Sequence, residues 1–209
     1  MLKFVSKNAA LLGFSATLCV GLVAGVNLLT KDRIAAQQLA QKVALLQEVL
    51  PAGSADSEIL QSCIYIEEPA VFGKNSTPVY RTVQQGQTIF VVETTAPDGY
   101  SGDIDLLAAI RDDATILAVR TLAHKETPGL GDKIETKRSD WILSFNGFQL
   151  QGSDDKRLAV RKDGGQFDQF TGATITPRAV VSAVKRAATY LQQHPELATM
   201  PAACSPTKQ

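Results

Sequence analysis

The hydroxyl of Thr174 stands close to the predicted start of a helix, in a segment that reads DQFTGATITP from Asp168 to Pro177. Pro177 suits the first position of a helix, and Thr176 can cap it. Thr174 then lies beside free backbone amides and the positive end of the helix dipole, where a phosphate is stabilised. An ordinary Thr-capped helix fits the same local pattern, so these residues indicate an anion site without establishing one.

Two small residues precede that hydroxyl. Gly172 allows the backbone to approach a ligand closely, and Ala173 leaves room where a larger side chain would obstruct an incoming group. A second candidate segment reads HKETPGLG over positions 124–131. Its two glycines flank Leu130, and on local grounds they predict a tight turn.

An uncharged run of 22 residues, Ala9 to Thr30, predicts a single membrane-spanning helix. Such a helix would rise about 33 Å, enough to cross the hydrocarbon core of a bilayer. A cleaved signal peptide is the alternative, since Lys3 and Lys7 precede the run, but the apolar stretch of a signal peptide spans only about 7 to 15 residues. Basic residues flank both ends of the run, so charge alone leaves its orientation open.

Apolar residues at helical spacing from Ile34 to Leu50 predict a stalk helix after the membrane. The small, polar stretch Pro51–Ser57 suits a loop, and the folded domain is predicted to begin near Glu58. Three prolines after His194 favour a poorly ordered end. The predicted segments are an N-terminal segment at 1–8, the transmembrane helix at 9–30, a stalk helix and linker at 31–57, the folded domain at 58–193 and a flexible tail at 194–209.

Alternating apolar and polar residues between Val79 and Ala123 predict four strands that are joined by short turns. Short connections favour antiparallel neighbours. A fifth strand is predicted at Arg157–Arg161, and a helix from Pro177 to Gln193 closes the domain. The predicted fold class is therefore α+β, with an antiparallel sheet packed against helices. The four strands are predicted at Val79–Val83, Thr88–Thr94, Ile104–Arg111 and Thr115–Ala123.

Composition limits the kinds of partner and metal site. Lys plus Arg and Asp plus Glu each number 21, so the formal net charge is zero and no positive field would concentrate nucleic acid. The three cysteines are too few and too widely spaced to predict a zinc or iron-sulfur site. Cys63 and Cys204 could pair if the folded domain is extracytoplasmic, whereas a cytoplasmic domain would keep them reduced.

The pattern from Asp168 to Thr174 matches the signature on which flavin transferases attach FMN: Asp, two free positions, Ser or Thr, Gly, Ala, then Thr or Ser. Thr171, Gly172 and Ala173 fill the inner positions, and Thr174 fills the attachment position. The HKETPGLG segment resembles the Glu-Thr-Pro-Gly-Leu-Gly loop of the FMN-binding domain in the Rnf and Nqr respiratory complexes. Two motifs in family order, together with the apolar N-terminal run, extend this resemblance over nearly the whole chain.

The resemblance implies an electron carrier with FMN attached covalently to Thr174 through a phosphoester bond. Chain length favours the G-subunit type of the Rnf (also Rsx) complex over the longer C-subunit type of the Na⁺-translocating NADH:quinone reductase, which is kept as the alternative. Such a complex couples ferredoxin and NAD to ion movement, and the chain would be its redox subunit rather than an enzyme on its own. A single pass through a bacterial inner membrane and a periplasmic domain are also implied.

The partners implied by the resemblance are the other Rnf/Rsx subunits and a separate flavin transferase, which takes FMN from FAD. Asp168 would help this transferase to recognise the loop. In the second motif, Thr127 and backbone amides would bond the polar edge of the flavin, and Leu130 would cover its apolar face. Glu126 could be a flavin partner or a solvated loop charge. The remaining flavin contacts implied by this motif are Gly129 and Gly131.

Two other classes of function stay open on the residues alone. A self-contained flavin reductase would need a nicotinamide site, but no Gly-x-Gly-x-x-Gly fingerprint follows a predicted strand. A structural or sensory membrane protein would use the Thr-Gly-Ala-Thr segment only as a helix cap. His124 is predicted to be a loop residue rather than a catalytic one, since no charge-relay pattern surrounds it, and Trp141 and Phe145 are predicted to pack in the core.

Overall fold

A computed structural model describes residues 2–50 and 62–203 of the chain. Contacts between residues divide the chain into two compact units, Met1–Val43 and Ala44–Gln209.

The first unit lies within helix α1, which spans Leu2–Val49. Its large apolar side chains between Val5 and Ile34 are exposed. Within the described part of the chain, this is the one helix that is long and apolar enough to cross a membrane. The predicted transmembrane and stalk helices are thus parts of a single helix, because Lys31–Arg33 between them contains no helix breaker. The predicted linker Pro51–Ser57 and domain start at Glu58 lie outside the described residues.

The second unit is built on one antiparallel six-stranded sheet, in which the spatial order of the strands follows the sequence. The four predicted strands are confirmed with small changes at their ends, and Gln85 and Gly86 have the positive φ angles of a two-residue hairpin turn. Two short edge strands went unpredicted because two or three residues carry no readable alternation. The strands are β1 (Ile64–Ile66), β2 (Thr77–Gln84), β3 (Gln87–Ala96), β4 (Ile104–Arg111), β5 (Thr115–Ala123) and β6 (Phe148–Gln149).

The strand predicted at Arg157–Arg161 is wrong. Val160 makes a single isolated bridge with Phe167, and a short 3-10 helix follows at Arg161–Asp163. The Arg161 N–H donates to the Phe167 carbonyl oxygen at 2.8 Å. The segment therefore folds back on itself within a few residues, and its amides pair locally instead of joining the sheet.

Helix α3, Ile175–Gln193, covers one face of the sheet, and a one-turn helix α2, Pro69–Phe72, packs beside it. Helix α3 begins two residues before the predicted start and ends at the predicted residue. Pro177 is tolerated because it lies in the first turn, where its missing N–H costs no helical hydrogen bond. The buried apolar side chains of α3 are Ala179, Val180, Val181, Ala183, Val184, Ala187, Ala188 and Leu191.

The other face of the sheet carries a second apolar cluster, because successive residues of a strand point to opposite faces. The end of α1 covers it through Leu46, Val49 and Leu50, all of which are buried. Arg120 of β5 is 8% exposed, and its Nε donates to Glu48 Oε1 at 2.6 Å. Apolar burial and one ion pair therefore hold the last turns of α1 on the sheet.

Truncation of Leu46 tests this packing. Leu46→Ala is expected to lower the free energy of unfolding by about 3 kcal/mol, because the side chain is 2% exposed and its loss leaves a cavity between helix and sheet. Chemical denaturation of the detergent-solubilised chain measures the change. Gln47→Ala, at the neighbouring exposed position, is the control and should shift stability by less than about 0.5 kcal/mol. Equal stabilities for Leu46→Ala and wild type would contradict the contact.

The described residues after α3 are held on the domain, which corrects the flexible tail predicted at 194–209 for this part of it. A short 3-10 helix, Pro195–Ala198, buries Leu197 in the main core. The Arg81 guanidinium donates to two carbonyl oxygens of this turn, at 2.8 and 2.9 Å. Helix α3 does end before Pro195, but the carbonyl groups of the turn that follows accept hydrogen bonds from the charged side chain of Arg81 on β2.

Cys63 is fully buried and disulfide-bonded, whereas Cys19 in α1 is an exposed free thiol. Since the chain has three cysteines, Cys204 is the remaining candidate for the partner, and it lies outside the described residues. The Ala203 N–H donates to the Cys63 carbonyl oxygen at 2.8 Å. The chain therefore passes beside Cys63 one residue before Cys204.

Asp155 organises the loop that precedes the isolated bridge. Its carboxylate accepts from the Arg157 guanidinium at 2.6 Å and from the Gln151 N–H at 3.0 Å. The hydrogen bond from the Arg157 side chain is the main cause that holds the pKa of Asp155 well below its usual range, with burial acting in the opposite direction.

A carboxyl group with a depressed pKa makes stability depend on pH. Its contribution is present above the unfolded pKa of about 4 and is lost as the pH falls through the folded pKa. Asp155→Asn is expected to lower the free energy of unfolding by roughly 1 to 2 kcal/mol at pH 7 and to weaken the loss of stability below about pH 4. Urea unfolding at pH 7 and at acid pH measures both effects. Asp154→Asn, at an exposed neighbouring position, is the control, and equal acid sensitivity of Asp155→Asn and wild type would refute the assignment.

Candidate functional site

The loop predicted to carry the attachment position, residues 168–174, is called the attachment loop and ends in a tight turn. The Ala173 N–H donates to the Phe170 carbonyl oxygen at 3.1 Å, and Gly172 has a φ angle of +83°. A positive φ at the third position of such a turn favours glycine, because a side chain there would be strained. Gly172 therefore has a conformational role in addition to the space that it leaves for an approaching group.

Thr174 occupies the N-cap position of α3, its side chain is exposed, and it makes no capping hydrogen bond. This corrects the prediction that Thr176 caps the helix, because Thr176 lies in the first turn and is fully buried. The Thr174 hydroxyl is thus presented at the positive end of a 19-residue helix, beside backbone amides that have no partner within the helix.

The glycine turn, residues 126–131, is the tight turn that its two glycines predict. The N–H groups of Leu130 and Gly131 both donate to the Thr127 carbonyl oxygen, at 3.1 and 3.0 Å, and Gly129 has a φ angle of +77°. The buried side chain of Asp132 accepts from the Gly129 N–H at 2.8 Å. The turn is therefore held by its own backbone and by one carboxylate.

The attachment loop and the glycine turn meet in the fold, although a long stretch of sequence separates them. A Cβ added to Gly172 would lie 3.5 Å from Leu130 Cδ2. A Cβ added to Gly131 would lie 3.0 Å from Thr176 Oγ1. The structure thus brings the two predicted motifs together into one site.

The buried side chain of Glu126 connects the two motifs. It is 5% exposed, its Oε2 accepts from the Thr176 hydroxyl at 2.5 Å, and its Oε1 accepts from the Ser101 N–H at 2.9 Å. Of the two roles left open by the sequence, a solvated loop charge is therefore excluded. A direct contact between Glu126 and a flavin stays a prediction.

His124 supports the same turn. Its Nδ1 accepts from the Glu126 N–H at 3.0 Å, so the ring proton belongs on Nε2, which faces Glu135 Oε1 at 2.9 Å. One ring nitrogen thus bonds to the backbone of the turn and the other to a carboxylate, which agrees with the predicted role of a loop residue. In the described part of the chain, no group of three His, Cys, Asp or Glu residues could hold a metal ion.

Trp141 braces the start of the attachment loop. It lies with Phe145 in a short 3-10 helix, Asp140–Phe145, and the two rings meet edge to face with their centroids 5.7 Å apart. The Trp141 ring also meets Phe170 at 5.1 Å, and its Nε1 donates to the Asp168 carbonyl oxygen at 2.9 Å. The predicted core packing is confirmed, and the structure adds a hydrogen bond to the loop backbone.

The Asp168 side chain points away from this packing. Its carboxylate is exposed and lies 2.6 Å from the guanidinium of Arg161, which is also exposed. Exposed ion pairs of this kind contribute little to stability and open readily. The Asp168 carboxylate therefore stays accessible to another protein.

Each of the three segments that contact the buried Glu126 carries an exposed apolar side chain. Tyr100 is 67% exposed and precedes Ser101, Leu130 is 41% exposed, and Ile175 is 43% exposed and follows Thr174. Exposed apolar groups beside a fixed polar network are typical of a binding surface for a flat, partly apolar ligand.

Comparisons with known proteins agree with this site. A family model described as FMN-binding domain matches residues 99–189, and one described as RnfG N-terminal region matches residues 1–49. The G subunit of the ion-translocating oxidoreductase complex of Shewanella loihica is 48% identical over 98% of each chain. The corresponding subunits of Cronobacter sakazakii and Escherichia coli K12 are 50% and 48% identical, over 96% and 97% of this chain and 97% and 98% of theirs.

The chain belongs to the G-subunit family of ion-translocating oxidoreductase complexes. The match of α1 to the RnfG N-terminal region decides between this family and the C-subunit type, so the resemblance inferred from the two motifs is confirmed. A crystal structure of the C subunit of the Na⁺-translocating NADH-quinone reductase from Parabacteroides distasonis has a TM-score of 0.44 and 25% identity, over 56% of this chain and 63% of that chain.

The sequence did not point to the buried roles of Thr176 and Ser101 in this member of the family. Both act through hydrogen bonds to Glu126, which is distant from each in sequence. The signal in the sequence was Glu126 itself, an acidic residue at the start of the glycine turn. Such a residue has several possible hydrogen-bond partners, and the sequence does not distinguish among them.

Proposed function

We propose that this chain carries electrons in a membrane-bound, ion-translocating oxidoreductase complex, with FMN held on Thr174 through a phosphoester bond. The supporting observation is the Thr174 hydroxyl, which is exposed, free of a capping bond and placed at the N-terminus of α3 next to the glycine turn. Family membership supports the assignment to such a complex, because the relatives bear the name of its G subunit.

The residues around Thr174 fit this cofactor. The helix N-terminus would stabilise the single negative charge that an esterified FMN phosphate keeps. Leu130 offers an apolar face, and the hydroxyl of Thr127 offers a polar group in the same turn. When bound, FMN supplies one-electron and two-electron redox steps. The proposed binding residues are Thr174, Thr171, Gly172, Ala173, Asp168, Glu126, Thr127, Gly129, Leu130 and Gly131.

Attachment requires a separate flavin transferase with FAD as the donor. The Thr174 hydroxyl oxygen would form a bond to the phosphorus of the FMN half of FAD, and the phosphoanhydride bond to AMP would break. The hydroxyl proton would pass to a base of the transferase, and AMP would leave with the electron pair. The exposed carboxylate of Asp168 is the group that we assign to recognition by this enzyme.

We place the domain on the oxidising side of a bacterial inner membrane, with α1 as its single anchor. The disulfide at Cys63 supports this orientation, because structural disulfides persist outside the cytoplasm and are rare within it. Basic residues flank both ends of the apolar run, so the disulfide supplies information on orientation that charge does not. The partners are then the other subunits of the complex.

Intact mass of the full chain, produced with and without a flavin transferase, tests the cofactor assignment. We expect an FMN-sized increase only when the transferase is present, and peptide mapping should place it on Thr174. The visible absorption should also survive denaturation and travel with the polypeptide. A colourless chain of unmodified mass despite an active transferase would reject the proposal and leave a membrane-anchored protein of the structural or sensory class.

A further inference from the structure

Glu126 is a buried carboxylate with an unusual set of partners. Among the described residues its side chain accepts from one backbone amide and one hydroxyl, and it forms no ion pair with a lysine or an arginine. Burying a carboxylate without a cationic partner is unfavourable unless several hydrogen bonds compensate for the lost hydration. The position of this charge is therefore best explained by what the carboxylate holds in place.

Three segments meet at this carboxylate: two that are distant from Glu126 in the sequence, and the glycine turn to which Glu126 itself belongs. The first is the loop between β3 and β4, through the Ser101 N–H. The second is the glycine turn, in which a Cβ on Gly131 would lie 2.8 Å from Glu126 Oε2. The third is the first turn of α3, through the Thr176 hydroxyl. One side chain thus connects the two motifs and the loop that carries Tyr100.

Glycine is required at two positions that lie against Glu126, which are Gly99 and Gly131. A Cβ added to Gly99 would lie 3.0 Å from Glu126 Oε1 and would also collide with the carbonyl oxygen of Gly102. A Cβ added to Gly131 would meet both the carboxylate and Thr176 Oγ1. At Gly99 and Gly131 the backbone therefore lies so close to Glu126 that no side chain fits between them.

The hydrogen bond to Thr176 ties this network to the attachment position. Thr176 lies two residues after Thr174, in the first turn of α3, and is fully buried. Gly131 lies next to Leu130, whose Cδ2 faces Gly172 in the attachment loop. The Glu126 to Thr176 hydrogen bond therefore joins the segment that carries the Thr174 hydroxyl to the turn that carries Leu130.

We propose that Glu126 and Thr176 form a positioning pair, which fixes the attachment loop against the glycine turn so that the Thr174 hydroxyl is presented in one orientation. The inference rests on the proposed function for its consequence in flavin loading, but the positioning itself is a property of the protein without cofactor. The Thr176 hydroxyl is the essential group, so serine at this position should preserve the pair and valine should break it.

Hydrogen-deuterium exchange of the full chain without cofactor tests the positioning directly. In Thr176→Val, amides of residues 170–175 and 99–102 are expected to exchange on the order of 10-fold faster, because Glu126 loses one partner and the segments around it loosen. Thr176→Ser should exchange like wild type. Unchanged exchange at both segments in Thr176→Val would overturn the proposal.

Flavin loading by the transferase supplies the second readout. The initial rate of FMN incorporation is expected to fall by a factor of about 10 to 100 in Thr176→Val and to recover in Thr176→Ser, since a displacement of about 1 Å at a reacting group has effects of this size. Glu126→Gln should be intermediate, because its amide keeps one acceptor oxygen for the two donors.

The chain offers a matched control in Thr94, which is 1% exposed and whose hydroxyl has no hydrogen-bond partner within the described residues. Thr94→Val makes the same chemical change in the same core and should leave exchange at the two segments and the loading rate unchanged. Equal loading rates for Thr176→Val and Thr94→Val would overturn the positioning role. Wild type that takes up no FMN, with the expected exchange changes in Thr176→Val, would reject the proposed function and leave the positioning intact.

Discussion

Thr174→Ala is expected to abolish the FMN-sized mass adduct while the domain stays folded. The substitution removes the one hydroxyl that the proposed phosphoester needs, at an exposed position with no capping hydrogen bond. Loss of stability should therefore be under about 0.5 kcal/mol, below the usual cost of removing a side chain that caps a helix. Intact mass after expression with the transferase, together with the thermal unfolding midpoint, measures both quantities.

Two matched variants separate chemistry from position. Thr174→Ser keeps a hydroxyl at the same place and is expected to retain an adduct. Thr171→Ala removes a second exposed hydroxyl of the same loop, which belongs to the signature, so its yield of adduct can fall, but any adduct that forms should still lie on Thr174. Covalent flavin of undiminished yield on Thr174→Ala would show that another residue is the attachment point.

Loss of the disulfide is expected to have the largest effect on stability. Cys63→Ser should lower the free energy of unfolding by roughly 4 to 5 kcal/mol, because the cross-link to Cys204 would span most of the folded domain and restrict its unfolded chain strongly. A domain of this size should then unfold roughly 10 °C lower. Differential scanning fluorimetry of the detergent-solubilised chain, with and without reductant, measures the shift.

Cys19→Ser provides the control, since this thiol is free and exposed on α1. Its unfolding midpoint and its response to reductant should match those of wild type. Under non-reducing conditions, wild type should carry one alkylatable thiol and Cys63→Ser should carry two. An unfolding midpoint that reductant leaves unchanged in wild type would contradict a stabilising disulfide.

The disulfide at Cys63 bears both on the stability of the domain and on the side of the membrane at which it lies. A disulfide that closes a large part of the domain is stable only where the compartment does not reduce it. Finding the bond in protein taken from intact cells would therefore support the placement of the domain outside the cytoplasm. Complete reduction in cells would argue for the opposite face of the membrane.

The strands and the helix ends show which elements local sequence patterns can predict. The four central strands were predictable because alternation and turn residues such as Gln85 and Gly86 are read within a few positions of each other. The strand predicted at Arg157–Arg161 failed because its amides find partners in its own loop. The stalk helix merged with the apolar helix because the short charged stretch between them contains no helix breaker.

The sequence alone determined the features that depend on neighbouring residues. These are the apolar length of α1, the alternation of the central strands, the turn at the two glycines, and the pattern from which attachment at Thr174 is predicted. Each follows from a short-range preference of the backbone or from a contiguous motif. The flavin-binding assignments at the individual site residues stay predictions.

How these elements and motifs pack together becomes visible in the three-dimensional structure. Residues that are distant in the chain meet at three places. These are the second apolar cluster, which contains Leu46, the part of the main core in which Leu197 is buried, and the contact of the two motifs at Glu126. A buried carboxylate can accept hydrogen bonds from many donors, and the fold selects Ser101 and Thr176 by bringing their backbones within reach. Burial and long-range hydrogen bonds depend on the packed three-dimensional arrangement, which local propensity and motif spacing do not encode.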